Sequence, residues 1–354
     1  MNNGKRILII GNFLSSSGLN KTVCEDLASQ LRGAGWGVLT TSRYPNRFRR
    51  LADMLWTVWR TRNQYAIAQV DVFSGPAFLW AEAVCWLLKR LRKPYVLTLR
   101  GGNLPSFTRR WPGRVRQLLT SASAVTTPSR YLQEQMADYR SDLILLPNPI
   151  DISAYSFCPR INPKPSVVWL RAFHAIYNPS LAAKTIARLR DDFPEIHLTM
   201  VGPDKGDGSF AAFEATVREL GLEENVHCPG RVSKGDVPDW LNRGDIFLNT
   251  TNVDNTPVSV IEAMACGLCI VSTNAGGVPY LLENECDALL VPSNDPQAMA
   301  DAIRRILTEP GLAERLSRNA RAKAEQFDWS VVLPQWEAIL TNAVGLTFLP
   351  ESST

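Results

Sequence analysis

The chain has 354 residues, of which 45% are hydrophobic and 20% are charged, and this composition excludes disordered, collagenous and coiled-coil proteins. Its length indicates about two domains, so no disulfide or metal is needed to stabilise a small fold. The net charge of +4 hides an asymmetry, since residues 1–160 carry 22 basic and 9 acidic side chains, whereas residues 161–354 carry 16 and 25. The first half is therefore expected to meet an anionic ligand or surface.

The seven cysteines are an odd number scattered along the chain, which favours free thiols in a reducing compartment over a disulfide framework. The apolar residues 7–10 form too short a run for a signal peptide. No later run reaches the length of about 18 apolar residues that a membrane span requires. These patterns predict a cytoplasmic protein, with the inner face of the membrane as one place where it could act.

Short apolar runs alternate with segments of helical period, and this alternation predicts parallel sheets with helices on both faces. The predicted strands of the first half are residues 6–10, 37–41, 71–73, 95–99, 124–127 and 143–146. Those of the second half are residues 167–170, 196–201, 226–228, 246–249, 269–272 and 288–291. Helices are predicted at residues 21–32, 178–190, 209–220, 234–243, 257–266 and 295–307.

Several prolines between residues 147 and 165 interrupt this alternation and indicate a linker between two domains. The predicted domains are residues 1–158 and 159–329. The predicted fold class is α/β, with two Rossmann-like, doubly wound domains that face each other across a cleft. Because ligands of such sheets bind beyond the carboxyl ends of the strands, the loops after the strands are expected to carry the chemistry.

Residues 254–267 (DNTPVSVIEAMACG) form the strongest local pattern, a helix whose beginning is specified by its sequence. Asn255 or Thr256 is suited to cap this helix, and Pro257 is suited to its first position. The backbone amides at 257–259 would then be left to bind an anion such as a phosphate.

Two charged residues stand out among apolar neighbours. Glu262 lies within the apolar helix, where a carboxylate needs a partner such as a ribose diol, although a backbone group or an arginine could also satisfy it. Arg171 ends the strand 167–170 and offers its guanidinium to a diphosphate, although a structural salt bridge is about as good an explanation. The loop 202–206, which contains Lys205, follows the next strand and is either a second ligand loop or a simple turn.

Glycine-rich loops also follow two strands of the first half. Residues 11–18 are not a G-x-G-x-x-G motif, which argues against a nicotinamide enzyme, but Gly18 could allow a ligand to approach the backbone. Arg100, Gly101 and Gly102 begin the loop after the strand 95–99. A plain connection between strand and helix explains the first of these loops about as well as a ligand site does.

No metal or redox centre is expected. Cys266 and Cys269 have the C-x-x-C spacing but lie between a helix end and a buried strand, where thiolates are not activated. The three histidines have no ligand-like spacing with cysteines or carboxylates.

Residues 47–62 predict a basic amphipathic helix with arginines on both sides of an apolar stripe. The stripe consists of Leu51, Met54, Leu55, Val58 and Trp59. Such a helix can lie on anionic lipid, but a helix that covers the sheet and exposes a basic face is the favoured interpretation. Nucleic acid is not expected as a partner, because no aromatic and basic motif of an RNA-binding module is present.

Taken together, these segments resemble the retaining glycosyltransferases of family 4, which have the GT-B fold. The resemblance spans nearly the whole chain and is strongest from residue 201 to residue 330, in VGPDKG, HCPGRV, the 254–267 segment, STNAGGVPYLL and FDWS. It implies an enzyme of the hexosyltransferase type (EC 2.4). Such an enzyme moves a sugar from a nucleotide diphosphate sugar to a hydroxyl acceptor with retention, without a metal or another cofactor.

The resemblance also assigns roles to the donor-side residues. Glu262 matches the acid that binds the donor ribose, and Asp254 matches an acid, usually glutamate, that contacts the transferred sugar. Arg171 matches the arginine that stabilises the leaving diphosphate, so Arg171, Asp254 and Glu262 are the implied catalytic residues. The other residues of the implied donor site are Gly202, Lys205, Arg231, Val232, Asn255, Thr256, Pro257 and Val258.

This chain departs from the family pattern at two positions. The lysine expected shortly after Arg171 is missing, since residues 173–176 read FHAI. Lys205 could compensate for it. Arg100 stands where many relatives have histidine, and its charge could favour an anionic acceptor or support the diphosphate. The implied acceptor or phosphate side consists of Gly18, Arg100, Gly101 and Gly102.

The C-terminal segment matches the helix that completes the first domain in this family, here residues 330–347. The basic first half suggests a lipid-linked acceptor at an anionic membrane, as in polysaccharide or glycolipid assembly. Two alternatives remain, a non-catalytic protein that binds sugar nucleotides and, less favoured because histidines are few, a nucleotide-sugar epimerase of the same fold.

Overall fold

The computed structural model describes residues 5–14, 22–101 and 103–345. The chain divides into two compact units, Met1–Pro149 together with Trp329–Thr354, and Ile150–Asp328. This division falls earlier than the boundary predicted at residue 158. The reason is that Ile150 and Tyr155 pack into a hydrophobic cluster of the second unit.

The first unit contains six parallel strands in the order β2-β1-β3-β4-β5-β6. They are β1 Arg6–Ile10, β2 Gly37–Thr41, β3 Ile67–Val72, β4 Tyr95–Leu99, β5 Ala124–Thr127 and β6 Ile144–Leu145. The third strand begins earlier than the predicted start at residue 71, because polar Gln69 interrupts its apolar pattern. In the fold, Nε2 of Gln69 donates 2.9 Å hydrogen bonds to Asp71 Oδ1 and to Thr98 Oγ1.

The helices of the first unit lie on both faces of its sheet. They are α1 Val23–Gly33, α2 Arg47–Arg60, α3 Phe78–Arg90, α4 Leu104–Arg110, α5 Pro112–Thr120 and α6 Arg130–Met136. Helices α2 and α3 share one face, because their buried side chains belong to a single hydrophobic cluster. Helix α1 packs in a different cluster with Ile7 and Ile9, whose side chains point to the other face.

The second unit also contains six parallel strands, in the order β12-β11-β10-β7-β8-β9. They are β7 Ser166–Leu170, β8 His197–Val201, β9 Val226–Gly230, β10 Ile246–Asn249, β11 Cys269–Thr273 and β12 Leu289–Val291. Its helices are α7 Pro179–Ala187, α8 Ser209–Glu219, α9 Val237–Leu241, α10 Val258–Cys266, α11 Val278–Leu281, α12 Pro296–Thr308 and α13 Leu312–Ala324. The predicted α/β class with two doubly wound parallel sheets is confirmed.

Each sheet has a switch point, where the order of the strands changes direction. It lies between β1 and β3 in the first sheet and between β7 and β10 in the second. Ligands of open α/β sheets bind beyond the carboxyl ends of the strands at such points. The loops that follow these four strands are therefore the places to examine.

The last helix, α14 Trp329–Gly345, belongs to the first unit. Its buried side chains, among them Trp336 and Leu340, pack in one cluster with Ile7 and Ile9 of β1. The indole nitrogen of Trp36 also donates a 2.9 Å hydrogen bond to Oε1 of Glu337 on this helix. Among the described residues, no helix is long and apolar enough to cross a membrane.

Candidate functional site

Most of the predicted donor-side residues lie at one edge of the second sheet. Arg171 follows β7, Gly202 follows β8, Arg231 follows β9, and Asp254 lies in the loop between β10 and α10. Because all strands of this sheet are parallel, these loops are at the same edge, and those of β7 and β10 flank the switch point.

Arg171 and Asp254 are in direct contact. Nη2 of Arg171 forms an ion pair with Oδ2 of Asp254, and the two side chains are 17% and 14% exposed. The guanidinium also lies 4.5 Å from the centre of the Tyr177 ring. Burial lowers the pKa of Arg171, but arginine keeps its charge in proteins, so Asp254 compensates a cation at the switch point.

Glycines hold the Arg171–Asp254 pair in place through close backbone contacts. A Cβ on Gly277 would lie 1.9 Å from the carbonyl oxygen of Asn255, and one on Gly276 would lie 2.3 Å from that of Asp254. The amide of Gly277 donates a 2.9 Å hydrogen bond to the latter oxygen. On the other side, a Cβ on Gly202 would lie 1.7 Å from the carbonyl oxygen of Arg171. Only glycine fits at these positions.

The beginning of α10 differs from the prediction. Pro257 is itself the N-cap residue and the helix begins at Val258, so the prediction that Asn255 or Thr256 caps the helix was wrong. The prediction of an available amide at residue 257 was also wrong, because proline has no N–H group. The amides left at this end are those of Val258 and Ser259. The hydroxyl of Ser259 is buried and has no hydrogen-bond partner among the described residues.

Glu262 is buried and has two partners that were not predicted. The hydroxyl of Tyr155 donates a 2.8 Å hydrogen bond to its Oε1, and Nζ of Lys234 forms an ion pair with the same oxygen. The carboxylate is therefore satisfied within the protein, while Lys234 keeps about half of its side chain exposed. Lys234 adds a second cation to the donor side, and no sequence pattern indicated it.

The segment expected to carry a lysine, residues 173–176, begins with a packing residue instead. Phe173 is fully buried against Trp169, Phe210 and Phe213. Its backbone pairs with the loop after β8, since the amide of Phe173 donates to the carbonyl of residue 203 at 2.9 Å and the amide of Lys205 donates to the carbonyl of Phe173 at 3.2 Å. This pairing places the backbone of the exposed Lys205 beside Phe173, two residues after Arg171.

The remaining donor-side predictions occupy the same edge with different exposure. Asn255 is buried and Thr256 is half-buried, both in the loop that leads to α10. Arg231 is exposed, whereas Val232 packs against the cluster that contains α10.

In the first unit, Arg100 is already paired. Its Nε lies 3.1 Å from Oδ1 of Asp71, and its Nη1 donates a 2.6 Å hydrogen bond to Oδ1 of Asn148. The charge that was expected to attract an anion is therefore compensated within the unit. Gly101 adopts a φ of 108°, which favours glycine. Gly18 and Gly102, the other two predicted residues of this side, lie outside the described residues.

A small pocket lies at the switch point of the first sheet. Its polar lining comes from Asn12, which follows β1, and from Asp71, which lies near the end of β3. The apolar walls come from α2 and α3 and include Met54, Trp80, Ala81 and Val84.

A buried arginine stands beside this pocket. Nη1 of Arg50 donates a 2.9 Å hydrogen bond to Oδ1 of Asn12, and its guanidinium lies 5.3 Å from the centre of the Trp80 ring. Backbone carbonyls of residues 44 and 45 accept from its other nitrogens, and no carboxylate pairs with it in the described part of the chain. Burial lowers the pKa of Arg50, and repulsion from Arg47 lowers it to a smaller extent.

The C-x-x-C pair does not form an activated thiol site. Cys266 and Cys269 are both buried, and burial raises the pKa of each thiol to about 12. Thiols with such pKa values stay protonated near neutral pH and are poor nucleophiles and metal ligands.

Two family profiles match this chain. The profile described as "Glycosyl transferases group 1" matches residues 159–323, and the one described as "Glycosyltransferase Family 4" matches residues 11–154. Among curated relatives, a D-inositol 3-phosphate glycosyltransferase of Paenarthrobacter aurescens is 25% identical over 267 residues, which is 71% of this chain and 65% of the relative. One of Streptomyces bingchenggensis is 25% identical over 43% of this chain and 34% of its own length. The matches therefore span about one third to two thirds of these relatives.

Solved structures resemble the chain over nearly its full length. HepE of Anabaena in complex with UDP and glucose has a TM-score of 0.75 at 18% identity, over 96% of this chain and 100% of HepE. Sucrose-phosphate synthase of Thermosynechococcus elongatus has a TM-score of 0.78 at 17% identity, over 97% of this chain and 100% of the synthase. At such identities the likeness concerns the fold.

Proposed function

Since the chain belongs to glycosyltransferase family 4 and has the GT-B fold, we propose that it transfers a sugar from a nucleotide diphosphate sugar to a hydroxyl acceptor. The observation that carries this proposal is the Arg171–Asp254 pair at the switch point, since Asp254 lies in the loop that leads into the helix bearing buried Glu262. A cation, free helix amides and a buried carboxylate are the groups that a diphosphate and a ribose require.

In this proposal the donor binds at the carboxyl edge of the second sheet. The diphosphate accepts hydrogen bonds from the amides of Val258 and Ser259 and from Arg171, while Glu262 accepts from the ribose hydroxyls. Lys205 and Lys234 supply additional positive charge in place of the absent lysine. HepE was solved with UDP and with UDP-glucose, so uridine diphosphate sugars are the first donors to test.

We propose that transfer proceeds with retention of configuration and without a metal. The bond between the anomeric carbon and the donor phosphate oxygen breaks, and a bond from that carbon to the acceptor oxygen forms on the same face. The acceptor proton passes to a phosphate oxygen of the leaving diphosphate. Arg171 and the helix amides stabilise the charge that develops on this group, which is electrostatic rather than covalent catalysis.

We also propose an anionic or lipid-linked acceptor, used in polysaccharide or glycolipid assembly in the cytoplasm at the inner face of the membrane. The pocket of the first unit supports this proposal because it combines polar groups at the strand ends with apolar walls. Beside that pocket, Arg50 adds a buried positive charge, and no carboxylate in the described ranges pairs with it.

A second candidate function is a non-catalytic protein that binds sugar nucleotides. Two observations favour it, namely the shorter Asp254 at a position usually held by glutamate, and the buried Phe173 in the segment where a lysine is expected. Donor turnover separates the two candidates.

The test measures binding and turnover of UDP-, GDP-, ADP- and TDP-sugars with the wild type and with Arg171→Ala and Glu262→Ala. A donor present at 100 times its dissociation constant should stabilise the protein by about 2.7 kcal/mol. Turnover by the wild type that is lost in both variants but retained in Arg188→Ala, which changes an exposed arginine of the second unit, supports the enzyme. Binding without turnover supports the binder, and equal turnover by all variants would contradict the proposed site.

A further inference from the structure

Helix α2 has an unusual outer face. Its inner face buries Arg50, Met54 and Val58 against the sheet. The opposite face exposes Phe48 by 85%, Trp56 by 54% and Trp59 by 46%. Trp59, which the sequence pattern assigns to the apolar stripe of this helix, is therefore exposed, whereas Met54 and Val58 of the same stripe are buried. A helix that only covers a sheet carries polar residues outside, and three exposed aromatic rings have no role in such a helix.

The neighbouring helix α3 continues this feature. It packs beside α2 on the same face of the sheet, and it exposes Leu79 by 54% and Trp86 by 63%. Both residues lie on the side of α3 opposite its buried residues Ala81, Cys85 and Leu88. We call the exposed apolar residues of both helices the aromatic face, which consists of Phe48, Trp56, Trp59, Leu79 and Trp86.

Basic side chains surround the aromatic face. The guanidinium of Arg62 lies 4.8 Å from the ring centre of Trp59, and that of Arg90 lies 5.9 Å from the ring centre of Trp86. Further basic residues on the two helices are Arg47, Arg49, Arg60 and Lys89.

The acidic residues of these helices are bound elsewhere. Oδ2 of Asp53 accepts a 2.8 Å hydrogen bond from the hydroxyl of Thr41, and Oε1 of Glu82 accepts a 2.9 Å hydrogen bond from Arg114. No salt bridge to Arg49, Arg60 or Arg90 is present within the described ranges. The aromatic face is therefore surrounded by basic side chains, three of which have no salt bridge among the described residues.

We propose that the aromatic face docks on an anionic lipid bilayer. Tryptophan rings are favoured at the level of lipid headgroups, where one edge is apolar and the other is hydrated. Guanidinium groups form bidentate hydrogen bonds with phosphates, which matches the arginines around the rings. Amphipathic helices with aromatic residues and arginines bind membranes through both effects together.

The role of this docking in catalysis rests on the proposed function. The same two helices form the apolar walls of the pocket, through Met54 of α2 and through Trp80 and Val84 of α3. Because the pocket lies on the inner side of these helices, a protein that docks through their outer face would hold it about one helix diameter, roughly 10 Å, from the lipid that carries its acceptor.

The test is co-sedimentation with vesicles of phosphatidylcholine alone or mixed with phosphatidylglycerol, without donor or acceptor. We expect the wild type to bind the anionic vesicles and to lose this binding as the salt concentration rises. Trp56→Ser with Trp59→Ser, and Arg49→Glu with Arg60→Glu, should each weaken binding by about tenfold or more.

The matched controls change the second unit. Ile161→Ser alters one exposed apolar residue, and Arg188→Glu with Arg218→Glu alters the same number of charges as the arginine variant. Both controls should bind like the wild type. All the changed residues are exposed, so each variant should unfold at nearly the same temperature as the wild type. Thermal unfolding of every variant checks this.

Several results would overturn the proposal. Wild-type protein that stays in the supernatant at low salt, or that binds neutral and anionic vesicles equally, excludes an anionic bilayer as the partner. A wild-type dimer that becomes monomeric in the tryptophan variant would identify the aromatic face as a protein interface instead. Vesicle binding requires no turnover, so donor hydrolysis is measured separately in the same preparations. Hydrolysis without vesicle binding would mean that the docking proposal fails, and vesicle binding without hydrolysis would mean that the proposed function fails.

Discussion

The hydroxyl of Tyr155 donates a 2.8 Å hydrogen bond to Oε1 of Glu262, and both side chains are buried in the second unit. Removing this donor takes away one of the two side-chain contacts described for Glu262 and leaves the ion pair with Lys234. We expect Tyr155→Phe to destabilise the protein by about 1–3 kcal/mol and to weaken donor binding, because Glu262 is less firmly held. Urea unfolding and calorimetric titration with donor measure the two effects. Tyr65→Phe removes a similar bond to the carbonyl of Val58 in the first unit and should leave donor affinity unchanged.

Gly277 allows the loop at Asp254 and Asn255 to lie directly against it. A Cβ at this position would lie 1.9 Å from the carbonyl oxygen of Asn255, so Gly277→Ala must displace that loop. We expect donor turnover to fall by about 100-fold, the effect of a displacement of about 1 Å in an active site. Gly113→Ala is the control, because a Cβ there meets no atom within 4 Å and a helical alanine is slightly stabilising. Equal turnover by the two variants would show that the loop at Asp254 has no part in the reaction.

The Arg171–Asp254 pair should show strong coupling in a double-mutant cycle. Arg171→Met or Asp254→Asn alone leaves a poorly solvated partner, and each should cost roughly 2–3 kcal/mol of stability. This is less than for a fully buried pair, because the side chains remain 17% and 14% exposed. The double variant should cost less than the sum of the two single changes. Additive free energies of unfolding would show that the ion pair does not contribute to stability.

Glu337 should make the stability of the first unit depend on pH. The hydrogen bond from Trp36 lowers the pKa of Glu337 below its ordinary value of 4.5, and Lys5 adds to this effect. A lowered pKa means that the carboxylate stabilises the fold above pH 4.5 and that this contribution is lost as the pH falls through the folded-state pKa. Glu337→Gln should therefore unfold more easily than the wild type at pH 7, by about 1 kcal/mol, and the difference should disappear in acid.

Urea unfolding across the acidic and neutral range measures this difference. Glu314→Gln, which changes an exposed pair with Arg318, should show little effect at any pH. A difference between Glu337→Gln and the wild type that stays constant with pH would contradict the prediction.

The fold was largely predictable because buried parallel strands are short continuous apolar runs, which the sequence displays directly. The strand β3 was found only in part, since Gln69 is polar and its partners Asp71 and Thr98 are known only from the fold. Helix α3 was not predicted. It is apolar on its outer face as well, at Leu79 and Trp86, so its sequence lacks the polar side that marks a surface helix.

The place of the candidate site was predictable from topology, whereas its internal contacts were not. Arg171 and Asp254 follow two strands, and the rule for strand ends was enough to bring them to one edge. The contacts of Tyr155 and Lys234 with Glu262 join segments that are distant in sequence and belong to no motif. The adjacent glycines 276 and 277 belong to the segment STNAGGVPYLL, which carries the family resemblance, but only the structure shows the backbone atoms that exclude a side chain there.

Helix α14 has a consequence for how the chain folds during synthesis. The second unit begins and ends at one place, where the amide of Ile150 donates a 2.9 Å hydrogen bond to the carbonyl of Phe327. It can therefore form as soon as residue 328 has left the ribosome. The sheet that begins at β1 must wait for Trp336 and Leu340, and until they arrive Ile7 and Ile9 are covered only by the earlier residues of their cluster. The N-terminal half is thus most in need of a chaperone before α14 has been synthesised.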